Sequence, residues 1–254
     1  MNENHYIFSS SFIDRATFMK RNNDSQEQHS RRNVLSDFIL GCQDGLVNVL
    51  GIILGISAAT RDIRLIFVAT LAALGAESIS MAAVAYTSTS ARRRLYLSEV
   101  EREKREIKDV PDLEKNEVRD VLKQWGYKGK DLEDFVERIT GNPKAWLEFM
   151  MSYELELAPV QIFEPRRSFI LVGASTVVGS LIPLFPFIFV GSDVTTGAII
   201  SVVVSGIALF LIGWYAAKTT VGSLWRSGLQ MTIIGLFAGL LGFLIGHFIG
   251  TIPV

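Results

Sequence analysis

Residues 194–217 read VTTGAIISVVVSGIALFLIGWYAA, 24 positions without a charged side chain. At 1.5 Å per residue a helix of that length crosses the roughly 30 Å hydrocarbon core of a bilayer. The surrounding sequence extends the same character: residues 168–254 hold three charges in 87 positions, and residues 34–91 hold six. Between these blocks, residues 92–167 carry 33 charges, and residues 1–33 carry nine. The overall charged fraction of 20% therefore describes no part of the chain. Two apolar blocks flanking a polar one exclude a purely water-soluble globule and require a protein that crosses a membrane several times.

Five spans fit, at residues 37–59, 65–89, 168–190, 194–217 and 228–250. Basic residues near span ends mark the cytoplasmic side. Arg31 and Arg32, Arg92 to Arg94, Arg166 and Arg167, and Lys218 with Arg226 all fall on one face if the spans number five, against Arg61 and Arg64 on the other. The expected fold is an all-α integral membrane protein of five transmembrane helices, with a helical cytoplasmic insert between the second and third. Its parts are a polar, disordered cytoplasmic tail (1–33), spans one and two (34–91), the insert (92–167) and spans three to five (168–254). The insert places Val118, Val121, Leu122 and Trp125, and again Trp146, Phe149, Met150 and Tyr153, at helical spacing. Breaks are expected at Pro111, around Gly126 to Gly129, and at Gly141-Asn-Pro143, with the first helical piece running straight out of the second span.

Several functions are excluded by composition. A net charge of −1 offers no basic surface for nucleic acid. The single Cys42 rules out an internal disulfide framework or a thiolate cluster, and His5, His29 and His247 lie far apart. No nucleophile elbow or phosphate loop occurs, so the chain is not expected to be an enzyme or to hold a permanent cofactor. Gly235, Gly239, Gly242, Gly246 and Gly250 form a helix-packing stripe in the last span, and Pro183 and Pro186 predict a kink in the third.

Charged side chains inside spans are costly, and each is a functional candidate. Asp44 sits within the first span with Asn48 one turn on the same face, and Glu77, mid-span in the second, shares a helical face with Met81. A carboxylate beside a soft sulfur suits a transition metal better than Mg²⁺ or Ca²⁺. The bland alternatives are that Asp44 caps a helix, Met81 fills a gap and Glu77 makes a structural hydrogen bond. In the insert, Glu103 with Glu106 and Glu114 with Glu117 are spaced three apart, and Met150, Met151 and Glu154 fall within one turn or so. Inward-facing Glu pairs from several helices build metal sites in bundles, whereas charge runs on helices are more often solvated surface.

Residues 37–55 (DFILGCQDGLVNVLGIILG), 77–86 (ESISMAAVAY), 99–117 (EVEREKREIKDVPDLEKNE), 142–157 (NPKAWLEFMMSYELEL) and 173–186 (GASTVVGSLIPLFP) together resemble the vacuolar iron transporter family. The resemblance runs from about Asp37 to Val254 and leaves only the tail outside. It implies a homodimer of five-helix subunits, embedded in membrane lipid, that exchanges protons for Fe²⁺ and moves the metal out of the cytosol. It also implies that the insert binds metal through Glu103, Glu106, Glu114, Glu117, Met150, Met151 and Glu154, and that Asp44 and Met81 line the membrane pathway. Plant-type members of the family carry a glutamate eight residues before that methionine. Here that position is Ala73, and the glutamate is Glu77, one turn later.

The expected activity is proton-coupled transport of Fe²⁺, or of Mn²⁺, Co²⁺ or Zn²⁺, through a pathway lined by Asp44, Glu77 and Met81. Two rivals are a membrane-anchored ferritin-like oxidising protein, which would need Glu-x-x-His pairs absent here, and a metal sensor that transports nothing. Compact length and the lack of a sorting tail favour a prokaryotic cell membrane over a vacuole.

Overall fold

The structure is a computed structural model that describes residues 15–191, 193–219 and 222–251. It is all helical. The elements are α1 (Arg15–Ala59), α2 (Ile63–Asp109), α3 (Pro111–Gln124), α4 (Gly129–Thr140), α5 (Pro143–Phe149), a π-helical turn (Met150–Glu154), α6 (Glu164–Leu184), α7 (Pro186–Val190), α8 (Val194–Thr219) and α9 (Leu224–Gly250). Five segments are long and apolar enough to cross a membrane: Val34–Ala59, the apolar part of Ile63–Asp109, Glu164–Val190, Val194–Thr219 and Leu224–Gly250. The fold is thus the five-span, all-α architecture with a helical insert that the charge distribution predicts. Helix α1 begins at Arg15 and so includes residues 15–33 ahead of the first span. From Arg15 to Leu40 the chain has neither Gly nor Pro, so nothing stops the helix. The first 14 residues lie outside the described part.

The chain divides into two compact units. One comprises residues up to Ser78 together with Leu171 onward, and holds most of the spans. Its helix α8 shows how the membrane dictates packing. Inward positions are Val194, Gly197, Ser201, Ser205, Leu209, Gly213 and Ala217, mostly small or hydroxylic. Outward positions are Ile199, Val203, Ile207 and Leu211, all large and apolar. In water that pattern would be inside out; in lipid, association depends on close backbone approach and on interhelical polar contacts, which small residues permit. Ser201 donates to the carbonyl of Pro183, fastening α8 to the proline-broken third span, where α6 gives way to α7 at Phe185. Thr232 of α9 likewise donates to the Gly206 carbonyl of α8, at 3.4 Å.

Helices α1 and α9 touch backbone to backbone. A Cβ on Gly246 would collide with the Gly55 carbonyl oxygen, and one on Gly242 with that of Gly51. Gly246→Val is therefore expected to destabilise the protein by on the order of 3 kcal/mol, since overpacking forces the backbones apart. It should lower the melting temperature in detergent and broaden the size-exclusion peak. Gly75→Ala, where an added Cβ meets nothing within 4 Å, is the control and should leave both unchanged.

The other unit, Ile79–Ile170, contains the insert. Its core is Val118, Leu122, Leu132, Val136, Trp146, Phe149 and Met150. Pro111 and Pro143 occupy the first turns of α3 and α5, and the Asn142 side chain accepts from the Lys144 and Ala145 backbone N–H groups to cap α5. Gly126 (φ 94°) and Gly129 (φ 59°) turn the chain between α3 and α4 in the left-handed region. Arg119 grips Glu133 with two N–H donors at 2.8 and 2.9 Å, tying α3 to α4. These breaks fall where Pro and Gly predict them.

Candidate metal-binding sites

Within the first unit, Asp44 and Asn48 of α1 meet Glu77 of α2. The Asn48 side-chain amide donates to Glu77 Oε1, and the Asp44 and Glu77 carboxyls are in hydrogen-bonding contact. Asp44 lies ten residues into the span that begins at Val34, deep inside a continuous helix, so it caps nothing. Its turn of α1 is held against α6: Gly41 faces Ser175 and Val172, Gly45 faces Thr176 and Ser180, and Gly179 faces the Cys42 backbone. Side chains at those glycines would push the helices apart. Asp44 and Glu77 are half-buried, while Asn48 is exposed on the single chain. Met81 follows Glu77 by one turn on α2 and is half-buried. Two carboxyls in contact at bilayer depth repel strongly when both are ionised, which makes the pair a costly feature for a merely structural contact.

In the insert, the polar end of α2 and the start of α3 bring the carboxylates together. Glu103 and Glu114 are each 2% exposed, and they share a hydrogen bond. Each keeps one further carboxyl oxygen buried without a hydrogen-bond partner. Glu106, Glu117 and Glu154 are close enough to act electrostatically on this pair. Arg102 supplies the counter-charge, with contacts to Glu99 (2.7 Å), Glu103 (3.4 Å) and Glu106 (3.8 Å). Burial, reinforced by the Glu117, Glu103 and Glu106 carboxylates, pushes the Glu114 carboxyl up to about 7. Desolvation and then the Glu117 carboxylate raise Glu154 as well.

The thioethers arrive through the π-helical turn, in which the Leu155 N–H donates to the Met150 carbonyl five residues back. The extra residue in the turn lets the consecutive Met150 and Met151 both be buried, at 0% and 3% exposure. Met150 packs in the hydrophobic core with Val118 and Trp146, whereas Glu154 at the end of the turn is exposed. Among the described residues, no group of three or more His, Cys, Asp or Glu side chains is disposed to hold a metal ion. Glu103 and Glu114 form the centre of the cluster, and Arg102 draws Glu99 and Glu106 to itself.

A model of the VIT family matches residues 35–247. The chain belongs to the VIT family. Vacuolar iron transporter 2 of Oryza sativa subsp. japonica is 35% identical over 222 residues, which cover 86% of this chain and 89% of that protein. Vacuolar iron transporter 1 of Tulipa gesneriana is 33% identical over 219 residues, covering 85% of this chain and 87% of that one. Protein CCC1 of Saccharomyces cerevisiae is 28% identical over 233 residues, covering 85% and 72%. VIT membership makes the chain a transporter-type membrane protein and not an enzyme.

Within this VIT protein the geometry adds residues that the sequence reading passed over. Arg102 is one; its spacing of three before and four after relative to Glu99 and Glu106 was the available signal. The π-helical turn is another, and no residue pattern announces it. Glu114 also fixes a pH dependence. In the folded protein it holds its proton up to about pH 7, against an ordinary value of 4.5, so its contribution to stability is complete at low pH and is lost as pH rises between those values. A metal ion bound at Glu114 would have to displace that proton. Mn²⁺ affinity of the full chain in detergent is therefore expected to rise about fivefold from pH 6 to pH 7 and about twofold more before levelling off near pH 8, as titration calorimetry would show. A Glu114→Gln protein should show a flatter profile.

Proposed function

We propose that this protein is a proton-coupled transporter of divalent first-row transition metals, with Fe²⁺ as principal cargo and Mn²⁺ as a second, moving them out of the cytosol. The observation that carries the reading is the contact between Asp44 and Glu77, with Asn48, at the centre of the first two spans. A structural anchor gains nothing from two touching carboxyls in lipid, while a carrier of a dehydrated dication needs them. The relatives from rice and tulip are vacuolar iron transporters, which supports Fe²⁺ as the cargo.

The carboxyls act twice. Ionised, they coordinate the cation together with the neutral amide oxygen of Asn48 and the Met81 thioether; protonated from the far side, they release it and take up the counter-transported proton. The insert captures metal at Glu103 and Glu114, with Glu106, Glu117, Glu154 and the thioethers of Met150 and Met151 completing the shell as Arg102 gives way. The distribution of arginines supports a cytoplasmic insert and N-terminus. The exposure of Asn48 at mid-span supports a homodimer in which a second subunit covers this face.

Proteoliposomes with a pH dye test the reading, with Fe²⁺, Mn²⁺, Co²⁺ and Zn²⁺ compared side by side. Metal uptake accompanied by opposite proton movement, largest for Fe²⁺, is the expected result. Uptake without proton movement overturns the coupling, and no uptake overturns transport.

A further inference from the structure

On the membrane unit, a cavity of about 560 Å³ opens between α1, α8 and α9. It is unrelated to the Asp44 and Glu77 contact, none of whose residues line it. Its wall is apolar, with Leu54, Ile199, Val202, Leu236 and Leu240 among the lining, and Arg61 is the charged residue at its edge. Arg61 follows the end of α1, Thr195 opens α8 and His247 lies near the end of α9, so the polar lining gathers at one edge of the membrane. From His247 the lining runs back along α9 to Leu236, a rise of about 16 Å, which is close to one leaflet of hydrocarbon.

The cation at the edge is held in place. Arg61 donates to the Thr195 hydroxyl. Asp193 is close enough to feel the Arg61 charge, and its oxygens accept from the Thr195 and Thr196 backbone N–H groups and the Thr196 hydroxyl. Those bonds occupy the aspartate at the start of α8, while a guanidinium has five N–H donors and gives only one to Thr195. An oriented cation at headgroup level, above an apolar slot as deep as one leaflet, matches one molecule: a phospholipid with its phosphate at Arg61 and an acyl chain along α8 and α9.

We infer that this groove is a binding site for an anionic phospholipid of the leaflet on the Arg61 side. Specific binding here would brace the α1–α9 contact from the edge where both helices end.

The test uses the full chain in vesicles containing a trace of phosphatidylglycerol or phosphatidylcholine with a photoreactive group on the acyl chain, and maps labelled peptides by mass spectrometry. Labelling of the α8 segment around Ile199 and Val202 is expected to be about fivefold greater from phosphatidylglycerol. Arg61→Gln should remove that preference, and Ala198→Phe should reduce labelling from both lipids by filling the slot. In the unaltered protein, unlabelled phosphatidylglycerol should compete and inorganic phosphate should not, which tests the site without any variant. Equal labelling by the two lipids, displacement by free phosphate, or chain-to-chain cross-links through Ile199 showing a second copy in the groove would each overturn the assignment.

Discussion

Replacing Asp44 by alanine is expected to reduce Fe²⁺-driven proton movement in proteoliposomes to the level of protein-free vesicles. The carboxyl contributes one of two acidic groups in contact at mid-span, and removing it leaves Glu77 with Asn48 alone. Losing an anionic ligand for a dication in low dielectric is worth several kcal/mol, which means at least about a hundredfold in rate. Glu77→Gln should have a similar effect, because the amide keeps the hydrogen-bonding shape but carries no charge. In a Glu77→Ala background, Ala73→Glu offers a rescue: it restores a carboxyl one turn earlier on the same helix. Partial recovery of flux would show that the pathway needs the second acid and tolerates its displacement along α2. Undiminished flux in Asp44→Ala, with the protein still monodisperse and helical, would remove this residue from the transport path.

The spans were legible because lipid imposes a coarse rule: a run of some 20 apolar residues has few other uses. The breaks in the insert were equally legible, since Pro111, Asn142-Pro143 and the glycines at 126 and 129 act locally. The meeting of Asp44 with Glu77 was not, because spacing places each residue on a face of its own helix and says nothing about which faces meet. The glycines at 41, 45 and 179 set the same turn of α1 against α6, a contact that spacing along the sequence does not announce either. In the insert the Glu pairs could be seen but not ranked. Burial separates them: Glu103 and Glu114 lie inside, Glu106 and Glu117 are half-buried, and Glu154 faces outward. Residues 15–33 are polar, yet without Gly or Pro they can extend the helix of the first span at little cost.

That ranking gives the double substitution Glu103→Gln with Glu114→Gln its expected outcome. Each carboxyl has an oxygen buried without a partner, a condition that costs about 1–3 kcal/mol per group unless a proton or a cation satisfies it. The metal-free double variant is thus expected to melt no lower than the unaltered protein at pH 7.5, and should lose the part of the fall in stability between pH 4.5 and about 7 that Glu114 contributes. Its response to metal should change in the opposite sense. Ligand at a hundred times its Kd stabilises a folded site by about 2.7 kcal/mol, and the variant should lose that increment. Intrinsic fluorescence can follow this, because Trp146 packs in the insert core beside Met150 and Trp125 stacks edge-on against Tyr153 at 4.9 Å. A protein that becomes more tolerant of pH while losing its metal-dependent stabilisation has given up a site built at the expense of stability. If the variant instead keeps the full metal-induced shift, the buried pair is structural, and capture must lie with the outer carboxylates that Arg102 now holds.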